Sequence, residues 1–326
     1  DWFDVKALIK FGIYLVPFAK LRKLLIQGKH EFELPNGEIA VIPASWFINY
    51  SELFNFIEER SAEELVLRKH HLAFARELQN GELIRLNLSL KLERLRNFDA
   101  IDDYELPSTF KGSLRPYQNA GYNWLRFLNE YQFGGCLADD MGLGKTTSTI
   151  IAALESGSKK VLIICPATLK INWKREIENY SDKSIYIAES KNFSTEADFV
   201  IINYDIIKNF HDTKKKDDSQ VLAANFDLVI VDEAHYIKNA TAQRTKLIND
   251  IVKKTERLWL LTGTPMTSRP IDYFNLLSLI DSPVAKNWMA YAIRYCSGYQ
   301  FNVGGRKVWN VTGASNLEEL RDRTVG

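Results

Sequence analysis

The sequence predicts an α/β fold, in which a mainly parallel sheet with helices on both faces is preceded by a small α+β accessory unit. Three observations predict it. From Leu114 onward short apolar runs alternate with helical patterns, at Gly134–Ala138, Val161–Cys165, Ser184–Ile187, Phe199–Asn203, Leu228–Val231 and Leu258–Leu261. Strand, turn and helix repeated in this way imply parallel strands joined by covering helices. Most of the residues able to do chemistry fall just after one of these runs, where such sheets bind ligands. Residues 1–105 follow a different rhythm and read as a separate domain.

Composition sets the outer bounds. The 326 residues are 46% hydrophobic and 25% charged, ordinary for a globular chain long enough for two or three domains. The net charge is +1, so a nucleic-acid surface has to be a local patch rather than a global basic field. Cys136, Cys165 and Cys296 are scattered without Cys-x-x-Cys spacing, which points to a reducing compartment and away from disulfides or zinc. No apolar run reaches the roughly 20 residues of a membrane span. The start at Asp1-Trp2-Phe3-Asp4 is neither a signal peptide nor an initiator Met, and the expectation is a piece of a longer protein.

In the first domain, Glu31–Ile42 alternates around Pro35-Asn36-Gly37 and predicts a hairpin, because Asn and Gly tolerate positive φ. Ser45–Glu59 and Glu63–Leu78 carry roughly helical spacing, and Leu83–Leu95 alternates like a strand. Trp2, Trp46 and Phe47 are expected in this domain's core. His70-His71 lacks a third ligand at metal spacing and reads as surface or helix packing. Asn97–Gly112 reads as a linker, and Lys214-Lys215-Lys216 as a solvated loop.

The strongest chemical signal is a strand running into Asp139-Asp140-Met141-Gly142-Leu143-Gly144-Lys145-Thr146, followed by a helix from Thr147. Glycines let backbone N–H groups approach phosphate oxygens, and the helix N-terminus adds positive potential. Lys145 can reach the β- and γ-phosphates of ATP, and the Thr146 hydroxyl can ligate Mg²⁺. The general pattern has Gly where this chain has Asp139. The second signal is Leu228-Val229-Ile230-Val231-Asp232-Glu233-Ala234-His235, an apolar strand ending in two carboxylates. Asp232 suits Mg²⁺ held mostly through water, and Glu233 suits activation of an attacking water.

Asp232-Glu233-Ala234-His235-Tyr236-Ile237-Lys238-Asn239, together with Leu137 to Thr146, resembles the SWI/SNF-type ATPases of helicase superfamily two. Asp139 fits the variant phosphate loop of that family, and Asp140 in place of Glu is a mild departure. Other segments follow in the family's order between Leu114 and Ile280. Leu114-Arg115-Pro116-Tyr117-Gln118 resembles its adenine-reading segment. Pro166 to Trp173, Asn203-Tyr204 and Leu261-Thr262-Gly263-Thr264-Pro265 resemble segments at its DNA groove and nucleotide site. Ser268-Arg269-Pro270, Arg294-Tyr295-Cys296 and Gly313–Leu317 resemble the annealing-helicase branch, and Asp1–Val5 an amino-terminal region of bacterial members.

The resemblance implies a first RecA-like lobe at 106–282 and a connector at 283–326. It implies a nucleotide site of Arg115, Gln118 and Met141 to Thr147, with Gln118 on adenine. It also implies duplex-DNA backbone contacts from Lys170, Asn172, Asn203, Thr262, Gly263 and Thr264, and a role for His235 in coupling hydrolysis to the motor. Trp173 could stack on a base, but burial is the better use of so large an aromatic. A bacterial, cytoplasmic, nucleoid-associated protein is expected, with residues 1–105 available to a protein partner. The Gln-x-x-x-Arg-x-x-Arg element of the family's second lobe does not occur here, so the chain alone is expected to hydrolyse ATP negligibly. An RNA-dependent motor of the same superfamily and a nucleotide-gated binding module without turnover are the alternative readings.

Overall fold

Short segments of the first hundred residues pair as strands in a computed structural model of the chain. They are β1 (Trp2–Phe11), β2 (Tyr14–Pro17), β3 (Glu31–Glu33), β4 (Ile39–Val41), β5 (Ile57–Glu59), β6 (Leu65–Arg68) and β7 (Ile84–Asn87). The structure describes residues 2–11, 14–17, 24, 29, 31–34, 36–41, 57–59, 65–68 and 84–87 of this region. From 101 to 324 it describes all but 109, 111, 141, 213, 215–217 and 266–268. Two compact units result, Asp1–Ala100 and Ile101–Gly326.

In the first unit the long strand β1 pairs antiparallel with β2, β6 and β7, and β5 joins through β6. The predicted hairpin forms as β3–β4, with Phe32 opposite Ala40 and Gly37 at φ 85°. Two expectations are corrected. Ile57–Glu59, at the end of the helix read at Ser45–Glu59, is a strand, and so is Leu65–Arg68 within the one read at Glu63–Leu78. Apolar runs of three or four residues fit both periods, and cross-strand pairing of Ile57 with Leu67 decides between them. Trp46, Phe47, His70, His71 and Pro35 lie outside the described residues.

The second unit is built on a six-stranded sheet of β8 (Gly135–Leu137), β9 (Val161–Cys165), β10 (Ile185–Ile187), β11 (Phe199–Asn203), β12 (Leu228–Asp232) and β13 (Arg257–Leu261). Its order is β10-β11-β9-β12-β13-β8, and every pairing is parallel. The helices are α1 (Pro116–Tyr131), α2 (Lys145–Leu154), α3 (Lys170–Tyr180), α4 (Gln220–Ala223), α5 (Gln243–Val252), α6 (Pro270–Leu279), α7 (Trp288–Tyr295) and α8 (Leu317–Asp322). One sheet face, through Ile163, Ile201, Ile230 and Trp259, packs on Tyr122 and Leu125 of α1, Ile150 of α2 and Trp173 and Ile177 of α3. The opposite face, through Ile164, Ile202, Val231 and Leu260, packs on Leu222 of α4, Ile248 and Ile251 of α5 and Leu276 of α6. Both faces being covered, the central strands carry apolar residues at successive positions instead of alternating.

The segment read as a linker is docked instead. Over its described part, Tyr104 N donates to Asn123 Oδ1 at 3.0 Å, Tyr104 Oη to Glu130 at 2.8 Å, and Asn123 Nδ2 to Asp103 at 2.6 Å. Asp103, one of the polar residues behind the linker reading, is among those that tie the segment to α1. Beyond Ser282 the chain is also packed. Tyr291, Tyr295, Cys296 and Leu320 form a small core with Leu277 of α6. Arg294 Nε donates to Glu319 at 2.8 Å and joins α7 to α8. Between these helices, β14 (Tyr299–Val303) and β15 (Arg306–Asn310) form a separate antiparallel hairpin. No described helix is long and apolar enough to cross a membrane.

Candidate active site

Parallel strands deliver all their carboxyl ends to one edge of the sheet, and the sequence-predicted residues emerge there. β8 leads into the phosphate loop, β12 into Asp232-Glu233, β9 into Pro166, β11 into Asn203-Tyr204 and β13 into Thr262. β12 and β8 are separated by β13 alone, so their ends stand about 10 Å apart at the usual strand spacing.

The phosphate loop turns on two left-handed glycines, Gly142 at φ 82° and Gly144 at φ 76°. Gly144 is the N-cap of α2 and lies under the Gln118 amide, which a Cβ at this position would strike. Lys145 Nζ turns back into the loop and donates to the carbonyls of Asp139 and Asp140, at 2.8 Å each. Gln118 is fixed from two sides. Its Oε1 accepts from the Arg115 N–H at 3.0 Å, and its carbonyl accepts from Ser148 Oγ on α2 at 2.9 Å. The proposed adenine reader is therefore held against the phosphate loop by its own helix cap. Arg115 is exposed, with its guanidinium on Tyr117 Oη at 2.9 Å. Leu143, Thr146 and Thr147 are half-buried around the loop, and Met141 lies outside the described residues.

Asp232 is 8% exposed, and burial raises its pKa against the opposing pull of two donors. Those donors are the Trp173 indole N–H, 2.8 Å from Oδ2, and the Glu233 N–H, 2.9 Å from Oδ1. Lys145 also acts electrostatically on this carboxylate, in the direction that favours its charge. The Trp173 ring is buried as expected, and its polar edge supplies what the apolar interior cannot, a partner for a desolvated carboxylate.

Glu233 has φ 51°, a conformation few non-glycine residues adopt, and it turns the chain sharply after β12. Tyr204 braces this turn by donating its hydroxyl to the Asp232 carbonyl at 2.5 Å. The Tyr204 ring stacks on Tyr236 at 5.3 Å, and Arg244 lies over both rings while pairing with Asp205 at 2.9 Å. The Glu233 carboxylate stands 3.1 Å from His235 Nδ1, which is 3.4 Å from Thr262 Oγ1. One imidazole thus bridges the ends of β12 and β13.

The other nominated residues divide by exposure. Asn172 and Thr264 are exposed, and Gly263 is half-buried. Asn203 and Thr262 are buried, at 6% and 0% exposure, so neither side chain stands on the surface. Thr262 Oγ1 accepts from the Thr264 N–H at 3.1 Å, and Lys170 Nζ donates to the Ala188 carbonyl at 3.1 Å. Beside Asn203, it is Tyr204 that touches the Asp232-Glu233 turn. Sequence reasoning gave Tyr204, Arg244 and Ser148 no specific role. The signals for Tyr204 were its place after a strand and the resemblance of Asn203-Tyr204 to a family segment.

A family model described as the SNF2-related domain matches residues 117–299, which include the phosphate loop, Asp232-Glu233 and Thr262. The chain belongs to the SNF2-related family. Among relatives of this SNF2-related chain, DNA annealing helicase and endonuclease ZRANB3 of Bos taurus is 34% identical over 226 residues, 66% of this chain and 20% of that protein. Putative ATP-dependent helicase/translocase YwqA of Bacillus subtilis is 32% identical over 224 residues, covering 65% and 24% of the two chains. The chain thus spans a quarter or less of the length of these relatives. The Sulfolobus solfataricus SWI2/SNF2 ATPase core, solved in complex with dsDNA, superposes with a TM-score of 0.54 at 25% identity. That match covers 68% of this chain and 45% of the other. The RecA-like architecture expected from the SWI/SNF resemblance is the one present.

The Trp173–Asp232 contact makes a direct prediction for the SNF2-related unit. Trp173→Phe removes the indole donor and leaves Asp232 buried with one partner fewer. A loss of unfolding free energy of about 3 kcal/mol is expected, combining a broken charge-assisted hydrogen bond with a small cavity. Urea unfolding of parent and variant measures it, and a loss under about 0.5 kcal/mol would remove Trp173 from this role.

Proposed function

We propose that this chain is the ATP-binding lobe of a DNA-dependent ATPase that moves along duplex DNA. The observation that carries the reading is the convergence at one sheet edge of Lys145, Asp232 and Glu233, with His235 joining Glu233 to Thr262. The donor set fits ATP with Mg²⁺. Two left-handed glycines open the loop's N–H groups, and Lys145 can exchange backbone carbonyls for phosphate oxygens. One carboxylate and one hydroxyl, Asp232 and Thr146, would hold the metal, in keeping with the preference of Mg²⁺ for water and substrate phosphates as its other ligands. When bound, that ion neutralises charge on the β- and γ-phosphates.

The chain's own residues do the rest. Trp173 orients Asp232, while Glu233 accepts the proton of the attacking water and His235 relays its state to the β13 loop. Asn172, Gly263 and Thr264 offer contacts to a phosphate backbone, which positions a duplex without reading its sequence. The archaeal core, solved in complex with dsDNA, supports duplex DNA as the track, and the annealing helicase among the relatives supports DNA. Transition-state arginines are proposed to come from a second lobe, so the chain alone should bind ATP weakly and hydrolyse it negligibly. Residues 1–105 are proposed as an accessory domain that docks a protein partner, and the reducing bacterial cytoplasm as the setting. Burial pushes the Cys136 and Cys165 thiols up to about 12, which suits unreactive packing residues.

The test is ATP turnover by a protein that joins this chain to a second lobe, assayed with duplex DNA, single-stranded DNA, forked DNA and RNA. Duplex-containing DNA is expected to stimulate turnover most. Equal stimulation by RNA would overturn the DNA assignment, and robust turnover by the chain alone would overturn the need for a second lobe.

A further inference from the structure

The β14–β15 hairpin takes no part in the site described above. Its turn is Gly304-Gly305, both at positive φ (56° and 80°), the geometry that closes a two-residue hairpin with the strands' natural twist. The register places Tyr299, Phe301 and Val303 on one face with Arg306, Val308 and Asn310. That face is uncovered, with Tyr299 56%, Phe301 41%, Val303 54% and Val308 42% exposed. Asn310 Nδ2 donates to Tyr299 Oη at 3.1 Å, and the Tyr299 and Phe301 rings lie 6.1 Å apart. The opposite face is anchored, because Trp309 meets Trp288 of α7 edge-on at 5.5 Å. The hairpin base is held as well, by Ser315 N–H to the Tyr295 carbonyl at 2.9 Å and Asn316 Nδ2 to the Arg294 carbonyl at 2.8 Å.

Charge indicates the kind of partner. No Asp or Glu occurs between Asp281 and Glu318, in a chain where they number 41 of 326 residues. Arg306 and Lys307, beside the turn, are both exposed and form no ion pair among the described residues. Planar aromatic groups beside unneutralised cations, with carboxylates absent, complement a ligand that has flat apolar faces and regular negative charge. Single-stranded nucleic acid has both, since its bases are free to stack and its phosphates are close by. A closed duplex hides its base faces.

We propose that the exposed face of this hairpin binds a single-stranded stretch of nucleic acid, with Tyr299 and Phe301 stacking on bases and Arg306 contacting a phosphate. The contact is independent of nucleotide binding at Lys145. Stacking is sequence-tolerant, so the preference is for unpaired over paired strands rather than for a particular base order.

The test uses the whole chain and a fluorescein-labelled 20-nucleotide oligo-dT, with the matching duplex and oligo-rU as separate arms, read by anisotropy at several salt concentrations. Tyr299→Ala/Phe301→Ala is expected to weaken binding of the single strands about ten-fold or more, with binding to duplex changed less than two-fold. Tyr299→Phe should bind like the parent. Arg306→Gln should reduce the salt dependence by about 0.7 in log–log slope, the share of one phosphate. Lys145→Ala, a control on the nucleotide site, should leave all of this unchanged, so failure here and failure of the ATPase reading are distinguishable. The proposal is overturned if the double aromatic variant binds single strands within two-fold of the parent, or if the parent binds none at low salt. It is equally overturned if Phe301→Ala dissociates a dimer in sedimentation while strand binding is unaffected, which would make the face a self-association surface.

Discussion

Glu233→Gln should leave ATP binding intact and lower ATP turnover by about 10²–10⁴-fold in a protein that joins this chain to a second lobe, the range for loss of a positioned general base. The substitution keeps the shape of the side chain and its strained turn, in which φ is 51° and the Tyr204 hydroxyl braces the neighbouring carbonyl. It removes the charge that faces His235 Nδ1 at 3.1 Å and the basic oxygen that would take a proton from water. Nucleotide affinity is expected to hold or to rise, because one negative charge near the phosphates is gone. Equilibrium ATP binding and steady-state turnover measure the two halves separately. Turnover near the parental rate would show that another group activates water.

Lys145→Ala is expected to act on the other half. Its amine donates to the Asp139 and Asp140 carbonyls and lies close enough to Asp232 to favour that carboxylate's charge. Without it the loop keeps its glycine geometry but loses the cation that faces the β- and γ-phosphates. ATP binding by the chain should become undetectable at concentrations that saturate the parent. Turnover in the two-lobe protein should fall at least about 100-fold, the usual cost of removing a preorganised donor to developing charge. Duplex binding should change little, since no nominated DNA contact touches this amine. Lys145→Ala weakens binding whereas Glu233→Gln spares it, so the pair of measurements separates holding the nucleotide from hydrolysing it. Near-parental turnover by Lys145→Ala would remove the loop from the active site.

Much of the second unit was legible because its signals are local. A run such as Val161–Cys165 has apolar residues at successive positions because both sheet faces are covered, and that pattern survives in one dimension. The phosphate loop was legible for the same reason, since its glycines, lysine and threonine are neighbours in the chain. The first unit was less so. Ile57–Glu59 and Leu65–Arg68 are too short to display a period, and their partners across the strand decided their state. Asn97–Gly112 misled because an acidic residue such as Asp103 looks solvent-seeking until the α1 side chain that meets it is in place.

By itself the sequence determined the family and, in the second unit, the succession of the six sheet strands along the chain, since these rest on short-range periodicity and contiguous motifs. Only the tertiary structure decided which of those residues meet. Trp173 reaches Asp232 because α3 packs across the sheet face beside β12, and Asn203 and Thr262 turned out buried where the family resemblance implied DNA contacts. It also decided that Tyr299 and Phe301 share an uncovered face, which follows from the register of β14 against β15. The physical reason is common to all three. Burial and partner choice are properties of packing between segments distant in the chain, and no local pattern of residues encodes them.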